Sequence, residues 1–211
     1  MRPIGPEVQI AVFARAPKPG AVKTRLIPLL GAEDAAALHK RLVLQTLHTA
    51  CPDLETYLYC APTADDPFFE ACRLRYGVTL RDQCAGDLGT RMLRACSERT
   101  DGGRPVILIG TDCPVLARTH LRAAHDALAG GTDAVFIPAE DGGYALIGVS
   151  RAEPRLFEDM PWGTGAVMTR TRSRLRELGW RWCELDTLWD VDRPDDYRRL
   201  RVENRLDALP L

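Results

Sequence analysis

The chain alternates between short apolar runs of strand length and longer stretches of helical periodicity. Apolar or β-rich runs fall at 8–13, 55–60, 105–109, 133–137, 144–149 and 180–185. Apolar positions that return every three to four residues cover about 32–50, 87–99, 118–129, 164–178 and 194–206. Strands that alternate with helices imply a mainly parallel sheet with helices on both faces. Pro105-Val-Ile-Leu-Ile109 reads as a central strand, a continuous aliphatic run closed by Gly110-Thr-Asp112. The runs at 133–137 and 144–149 lie close together and look like strands joined by a functional turn, Glu140-Asp-Gly-Gly143. No repeat, low-complexity linker or domain boundary interrupts the pattern. The expectation is one α/β domain over 1–211, a three-layer sandwich around a mainly parallel mixed sheet.

Helix ends carry their own signals. Thr119 is a candidate cap for the helix after Asp112-Cys-Pro114, and Pro194-Asp-Asp196 suits a first turn, with proline early and acids at the positive end of the dipole. The last helix bears Arg198, Arg199, Arg201 and Arg205, which read as a solvated face rather than a seat for an acidic partner.

Composition narrows the function. With 45% hydrophobic and 27% charged residues the chain is globular rather than disordered. Its 28 basic and 29 acidic side chains give a net charge of −1, so no global basic field exists to hold a nucleic acid, and any anion site must be local. No signal-peptide core and no apolar run near membrane-spanning length is present, so neither secretion nor a membrane span is expected. The seven cysteines are odd in number and none forms Cys-x-x-Cys, which excludes the usual zinc spacings and reads as reduced thiols in a cytoplasmic protein. Cys113 alone sits in a chemical motif, and a small buried residue beside a strand end explains it.

Six segments could carry chemistry. The first strand empties into Ala14-Arg-Ala-Pro-Lys-Pro-Gly-Ala-Val-Lys-Thr-Arg-Leu26, where Arg15, Lys18, Lys23 and Arg25 share a loop shaped by two prolines and a glycine. Backbone N–H groups and fixed cations at a strand end suit a polyphosphate. The loop is neither a Walker A sequence nor G-x-G-x-x-G, and the competing explanation is an exposed, solubilising basic loop. Asp112 follows the central strand, where open α/β sheets bind ligands; it could ligate Mg²⁺ or Mn²⁺ beside phosphate oxygens or simply cap a helix. Asp186, Asp190 and Asp192 cluster before the last helix. In an extended segment Asp190 and Asp192 point to one side, and two such charges need a cation or donors nearby. Glu140-Asp-Gly-Gly-Tyr144 could supply Asp141 as base or hydroxyl acceptor, with Gly142 and Gly143 admitting a ligand to the backbone, or be an Asp-Gly turn alone. Gln83-Cys-Ala-Gly-Asp-Leu-Gly-Thr-Arg-Met92 suggests a base- or ribose-contacting helix start through Gly86, Asp87 and Arg91, unless its glycines only turn the chain. Trp162, in Pro161-Trp-Gly-Thr164, could stack on a sugar or base or pack in the core. The four histidines show no ligand spacing and receive no role.

In this order the motifs resemble a family of glycosyltransferase-like proteins of the GT-A fold, in the nucleotide-diphospho-sugar transferase superfamily. The matching segments are Phe13 to Leu26, Gly86 to Met92, Gly110 to Pro114, Asp141 to Tyr144, Pro161 to Gly163 and Asp190 to Asp196, and they span essentially the whole chain. The chain is also similar to the guanylyltransferase that activates phospholactate, whose loop likewise ends in Lys-[Ser/Thr]-Arg-Leu. The resemblance implies a GT-A/Rossmann-like sandwich, phosphate binding by Arg15, Lys23 and Arg25, and Asp112 in place of an Asp-x-Asp metal motif. It implies that an acid at Asp190 or Asp192 completes the site for Mg²⁺ or Mn²⁺. The chain departs from a full Asp-x-Asp, having Gly110 two residues before Asp112.

Three functions follow. The leading one is a metal-assisted transferase using a nucleoside-diphosphate-activated sugar, with Asp112, Asp141 and Lys23 as catalytic residues. The alternative is a nucleotidyltransferase that joins a nucleoside triphosphate to a small phosphorylated acceptor and releases pyrophosphate, although Gly-x-Gly-x-Arg is missing. The third is a nucleotide-sensing domain that binds without turnover. The partners expected are a nucleotide sugar or nucleotide and a small-molecule acceptor, with no nucleic acid and no membrane; a homodimer is left open.

Overall fold

A computed structural model describes residues 8–51 and 54–210. Seven strands form the sheet: β1 (Gln9–Arg15), β2 (Thr56–Ala61), β3 (Thr79–Asp82), β4 (Val106–Ile109), β5 (Ala134–Pro138), β6 (Tyr144–Val149) and β7 (Trp182–Glu184). The helices are α1 (Ile27–Leu30), α2 (Ala32–Ala50), α3 (Pro67–Tyr76), α4 (Leu88–Thr100), α5 (Arg118–Ala129), α6 (Val167–Leu178), α7 (Pro194–Val202) and α8 (Arg205–Ala208). Spatial order is β3-β2-β1-β4-β6-β5-β7. All neighbouring pairs are parallel except those of β6, which runs antiparallel to β4 and to β5. The expected mainly parallel mixed sheet is thus the observed one, and the single reversal comes from the short β5–β6 connection.

The sheet is apolar on both faces because helices cover both. Ile10, Val12, Ile107 and Ile109 point to one side, against Val43 and Leu47 of α2, Phe69 of α3 and Leu121, Ala124 and Leu128 of α5. Their alternates Ala11, Val106 and Leu108 point to the other, against Met92 and Ala95 of α4 and Met168 and Leu175 of α6. That is the three-layer arrangement, written in the sequence as unbroken rather than alternating apolar runs. A third cluster lies beyond the sheet: Leu26, Leu38, Leu42, Trp189, Val191 and Leu200 pack together. This cluster docks the segment 189–191 onto the end of the β1 loop. Arg41 of α2 strengthens the dock by donating to the carbonyls of Leu206, Leu209 and Pro210.

Several expectations need correction. The periodicity reading passes over α3 and β3. β3 is a short edge strand, mostly exposed and so without an apolar run; α3 buries only Phe69 and Cys72, with Asp66 as its N-cap accepting from Phe68 N–H. The helix expected over 194–206 is two, because Asn204 takes a left-handed conformation at φ +52°. Thr119 does not cap α5: Ala117 is the N-cap, and His120 Nδ1 accepts from the Ala117 N–H at 3.0 Å. All seven cysteines are free thiols. No helix among the described residues is long and apolar enough to cross a membrane.

Candidate active site

From β1 the chain winds outward through β2 to β3 and then returns to β4 on the other side of β1. The gap beyond the carboxyl ends of β1 and β4 is therefore the switch point at which open α/β sheets bind ligands. A cavity of about 280 Å³ opens there. Its apolar wall comes from Phe13 of β1, Leu88 and Met92 of α4, Leu108 of β4, Tyr144 of β6, Trp162 and Val167. Its polar wall is acidic: Asp112 after β4, Asp141 in the β5–β6 turn and Asp190 in the segment docked by the third cluster. Three chain segments far apart in sequence thus deliver one carboxylate each.

Asp112 has a buried counter-charge. Lys23 Nζ lies 2.5 Å from Asp112 Oδ1, with the lysine side chain 3% exposed and the aspartate 49%. The same ammonium donates to Val191 O, and Val191 N–H donates to Asp112 O. Lys23 holds this geometry from a left-handed backbone, φ +47°. Burial opposes ionisation of Asp112, but the Lys23 charge and His39 outweigh it and hold the carboxyl below its ordinary range. The remaining oxygen stays available on the half-exposed side chain. His39 is a residue that sequence reading passed over. Its Nε2 donates to Arg15 O at 3.0 Å, and Nδ1 stands 3.9 Å from Asp112 Oδ1. Burial lowers its pKa. The available signal was its place on the buried stripe of α2, with Ala35, Leu38 and Leu42.

Asp190 has the opposite environment. Burial, then the charges of Asp141 and Asp112, push its carboxyl up to about 6. Asp192, the other candidate of that cluster, does not line the cavity; its carboxylate pairs with Arg25 on the β1 loop. The expected close pair of Asp190 and Asp192 is therefore split between the two rims of the cleft. Lys18 pairs with Asp66 at 3.1 Å, and Arg15 is exposed at the end of β1.

The other motifs are partly structural. Asp141 Oδ1 accepts from Gly143 N–H at 2.8 Å, an Asx turn, and both residues line the cavity. Gly142, at φ +88°, has no room for a side chain because the backbone of Gly165 lies against it, so its freedom serves packing rather than ligand approach. Asp87 is the N-cap of α4, accepting from Thr90 N–H at 2.8 Å and from the Thr90 hydroxyl at 2.7 Å. Gly86 turns the chain at φ +115°, and Arg91 donates to Gln83. From this motif the cavity takes Leu88 and Met92. Trp162 is half-buried, meeting Tyr144 edge-to-face at 6.2 Å, and both line the cavity. Cys113 is buried, its thiol pushed up to about 11. Among the basic residues of the last helix, Arg199 is not merely solvated. It stacks over Trp189 at 4.4 Å and donates to Glu140 at 2.9 Å, bracing the β5–β6 turn against α7.

Among the described residues no three His, Cys, Asp or Glu side chains converge closely enough to hold a metal ion unaided. The donor chemistry still fits a hard divalent cation in the manner of Mg²⁺ or Mn²⁺, one or two carboxylates with the rest of the shell from phosphate oxygens and water. Asp112 and Asp190 are the pair available for it: both line the cavity, and the Asp112 charge acts on Asp190.

Residues 44–164 match the family described as "Uncharacterized protein conserved in bacteria (DUF2064)". No curated protein matches the chain. Among solved structures, a candidate nucleotide-diphospho-sugar transferase from Desulfovibrio desulfuricans G20 is 30% identical, with a TM-score of 0.86 over 94% of this chain and 88% of that one. Two others share the fold at low identity. CMP:2-keto-3-deoxy-manno-octonic acid synthetase complexed with CTP is 11% identical, TM-score 0.57, over 95% and 99% of the two chains. Glucosyl-3-phosphoglycerate synthase from Mycobacterium tuberculosis, in complex with Mn²⁺, UDP and glucosyl-3-phosphoglycerate, is 12% identical, TM-score 0.56, over 98% and 82%. The sheet is therefore the GT-A-like one on which both sugar and nucleotidyl transfer are built.

Proposed function

The chain belongs to the DUF2064 family, and from that premise we propose that it transfers a sugar from a nucleoside diphosphate donor to a small acceptor. The observation that carries this reading is the cleft at the switch point, with loop cations on one rim and three carboxylates on the other. Arg15 and Arg25 meet the donor's phosphates, Arg25 exchanging its exposed partner Asp192 for a phosphate oxygen. Lys23 acts one step back: buried behind Asp112, it keeps that carboxylate ionised and aimed at the cleft. The turn at Gly86 and Asp87 borders the nucleoside side and presents Leu88 and Met92 to it.

Asp112 and Asp190 would hold Mg²⁺ or Mn²⁺, which supplies charge neutralisation for the leaving diphosphate. Asp141 accepts the proton of the acceptor hydroxyl as that oxygen bonds to the anomeric carbon. The bond from that carbon to the diphosphate breaks, and its electron pair leaves with the nucleoside diphosphate. Trp162 offers a ring edge or face to the sugar.

The test is turnover of a panel of nucleotide sugars with Mn²⁺, followed by mass spectrometry of the released nucleotide. Release of a nucleoside diphosphate supports the proposal. Pyrophosphate release from a triphosphate would move the protein to the nucleotidyltransferases, and binding without turnover would make it a nucleotide sensor.

A further inference from the structure

The switch point leaves one β1 carbonyl to be satisfied from outside the sheet. Backbone bonds alternate along β1. Ile10 N–H donates to Glu55 O and Ala16 N–H to Ala61 O, towards β2, whereas Gln9 N–H donates to Pro105 O, towards β4. Arg15 shares the phase of Gln9, so its carbonyl turns to the β4 side. Pairing of β1 with β4 stops at Val12 opposite Ile109, where β4 ends, and no β4 amide is left to meet Arg15 O. A carbonyl in that position needs a donor from elsewhere. His39 supplies it, with Nε2 at 3.0 Å from Arg15 O. A carbonyl oxygen only accepts, so Nε2 carries a proton whatever the charge of the ring. The residue is 6% exposed, on the buried stripe of α2. Its other nitrogen, Nδ1, has no hydrogen-bond partner among the described residues and stands 3.9 Å from Asp112 Oδ1, beyond hydrogen-bond reach. Among the described residues this buried imidazole therefore bonds to Arg15 alone.

Arg15 opens the loop that carries the cations. Beyond it the chain folds on itself, Lys18 N–H donating to Ala16 O and Ala21 N–H to Lys18 O, while Lys18 to Ala21 stay exposed. Lys23 fastens the far end, to Asp112 and to Val191 O. The loop hangs between two buried polar side chains, and the one at its start is His39. We propose that His39 is the positioning residue of this loop: its Nε2–H holds the Arg15 carbonyl, and through it the segment that presents Arg15 and Arg25 to the donor's diphosphate. The phosphate role rests on the transferase reading; the anchor does not. His39 acts through Arg15 and meets no ligand itself. Filling space would need only an apolar residue of similar size, whereas anchoring needs a donor where Nε2 stands.

Two substitutions separate those roles. His39→Gln puts an amide N–H at the Nε2 position, and His39→Met fills similar volume without a donor. The readout is residue-resolved amide exchange of Ala16, Lys18 and Ala21, taken relative to the amides of β4. His39→Met is expected to speed it about tenfold, the weight of one lost hydrogen bond, and His39→Gln to stay within about threefold of the wild type. Binding of inorganic pyrophosphate with Mn²⁺ should weaken about threefold or more in His39→Met, because a loose loop must be ordered on binding, and recover in His39→Gln. In the wild type, heteronuclear NMR of the ring nitrogens is expected to show the proton on Nε2, a readout that needs no variant to fold. Loop exchange in His39→Met equal to the wild type overturns the proposal. So does exchange in His39→Gln as fast as in His39→Met, or a ring protonated on Nδ1 alone. Failure of the wild type to bind pyrophosphate would count against the phosphate reading, while the exchange comparison still decides the anchor.

Discussion

The two rims of the cleft are built from opposite electrostatic logic. On the β1-loop rim each cation but one is matched: Lys18 with Asp66, Lys23 with Asp112, Arg25 with Asp192. On the other rim Asp141 and Asp190 both line the cavity, and Asp190 is pushed up to about 6, first by burial and then by the charges of Asp141 and Asp112, with Lys23 opposing. The matched rim is stable without ligand, because exposed pairs there can be exchanged for phosphate at small cost. The unmatched rim stores repulsion that a cation or a donor-rich ligand relieves. Balanced charge marks where the protein holds itself in shape; surplus charge marks where it expects something else.

The largest perturbation removes the one pair that joins the rims. Asp112→Asn leaves the Lys23 ammonium buried without its counter-charge, and is expected to cost about 3 kcal/mol in chemical denaturation and to abolish sugar transfer. Adding Lys23→Met should recover much of the stability and none of the activity, a cycle that separates the pair's structural share from its chemistry. Gly142→Ala comes next. At φ +88° and against the Gly165 backbone, a methyl group should cost about 2 kcal/mol and displace Asp141.

Asp190→Asn sharpens the contrast by sign. The folded carboxyl titrates near 6, above the unfolded value, so its ionisation destabilises the native state. Below the unfolded pKa both states are protonated and the variant should melt with the wild type. As pH rises through 6 the wild type loses stability that the variant keeps, so the variant's melting temperature should stand above it at pH 8. A variant less stable at pH 8 would show that Asp190 is held by a partner. The smallest effect on stability is expected for Arg25→Ala, below about 1 kcal/mol for an exposed pair, together with roughly tenfold weaker nucleotide binding from the loss of a charged phosphate contact.

The helices and strands that bury a full face were legible in the chain: α2 and β4 lie within a residue of where their apolar pattern puts them. β3 and α3 were not, because an exposed edge strand and a helix with two buried residues leave no periodic trace. The cleft was legible as a set of motifs, since Asp112, Asp141 and Trp162 all line it. Their division of labour was not. That Asp190 enters the cavity while Asp192 turns to Arg25 depends on Val191 docking between Leu26 and Leu200, a contact between segments more than 160 residues apart. The role of Lys23 was hidden for the same reason: its charge suggested an open phosphate site, and its burial comes from tertiary packing.

The most direct test is calorimetric titration of the four common nucleoside diphosphates, with and without Mn²⁺, into the wild type, Arg25→Ala and Asp190→Asn. The account predicts that at least one diphosphate binds the wild type more tightly with Mn²⁺, that Arg25→Ala weakens it in either condition, and that Asp190→Asn removes the gain from the metal. Absence of diphosphate binding, or a metal gain unchanged in Asp190→Asn, would contradict it.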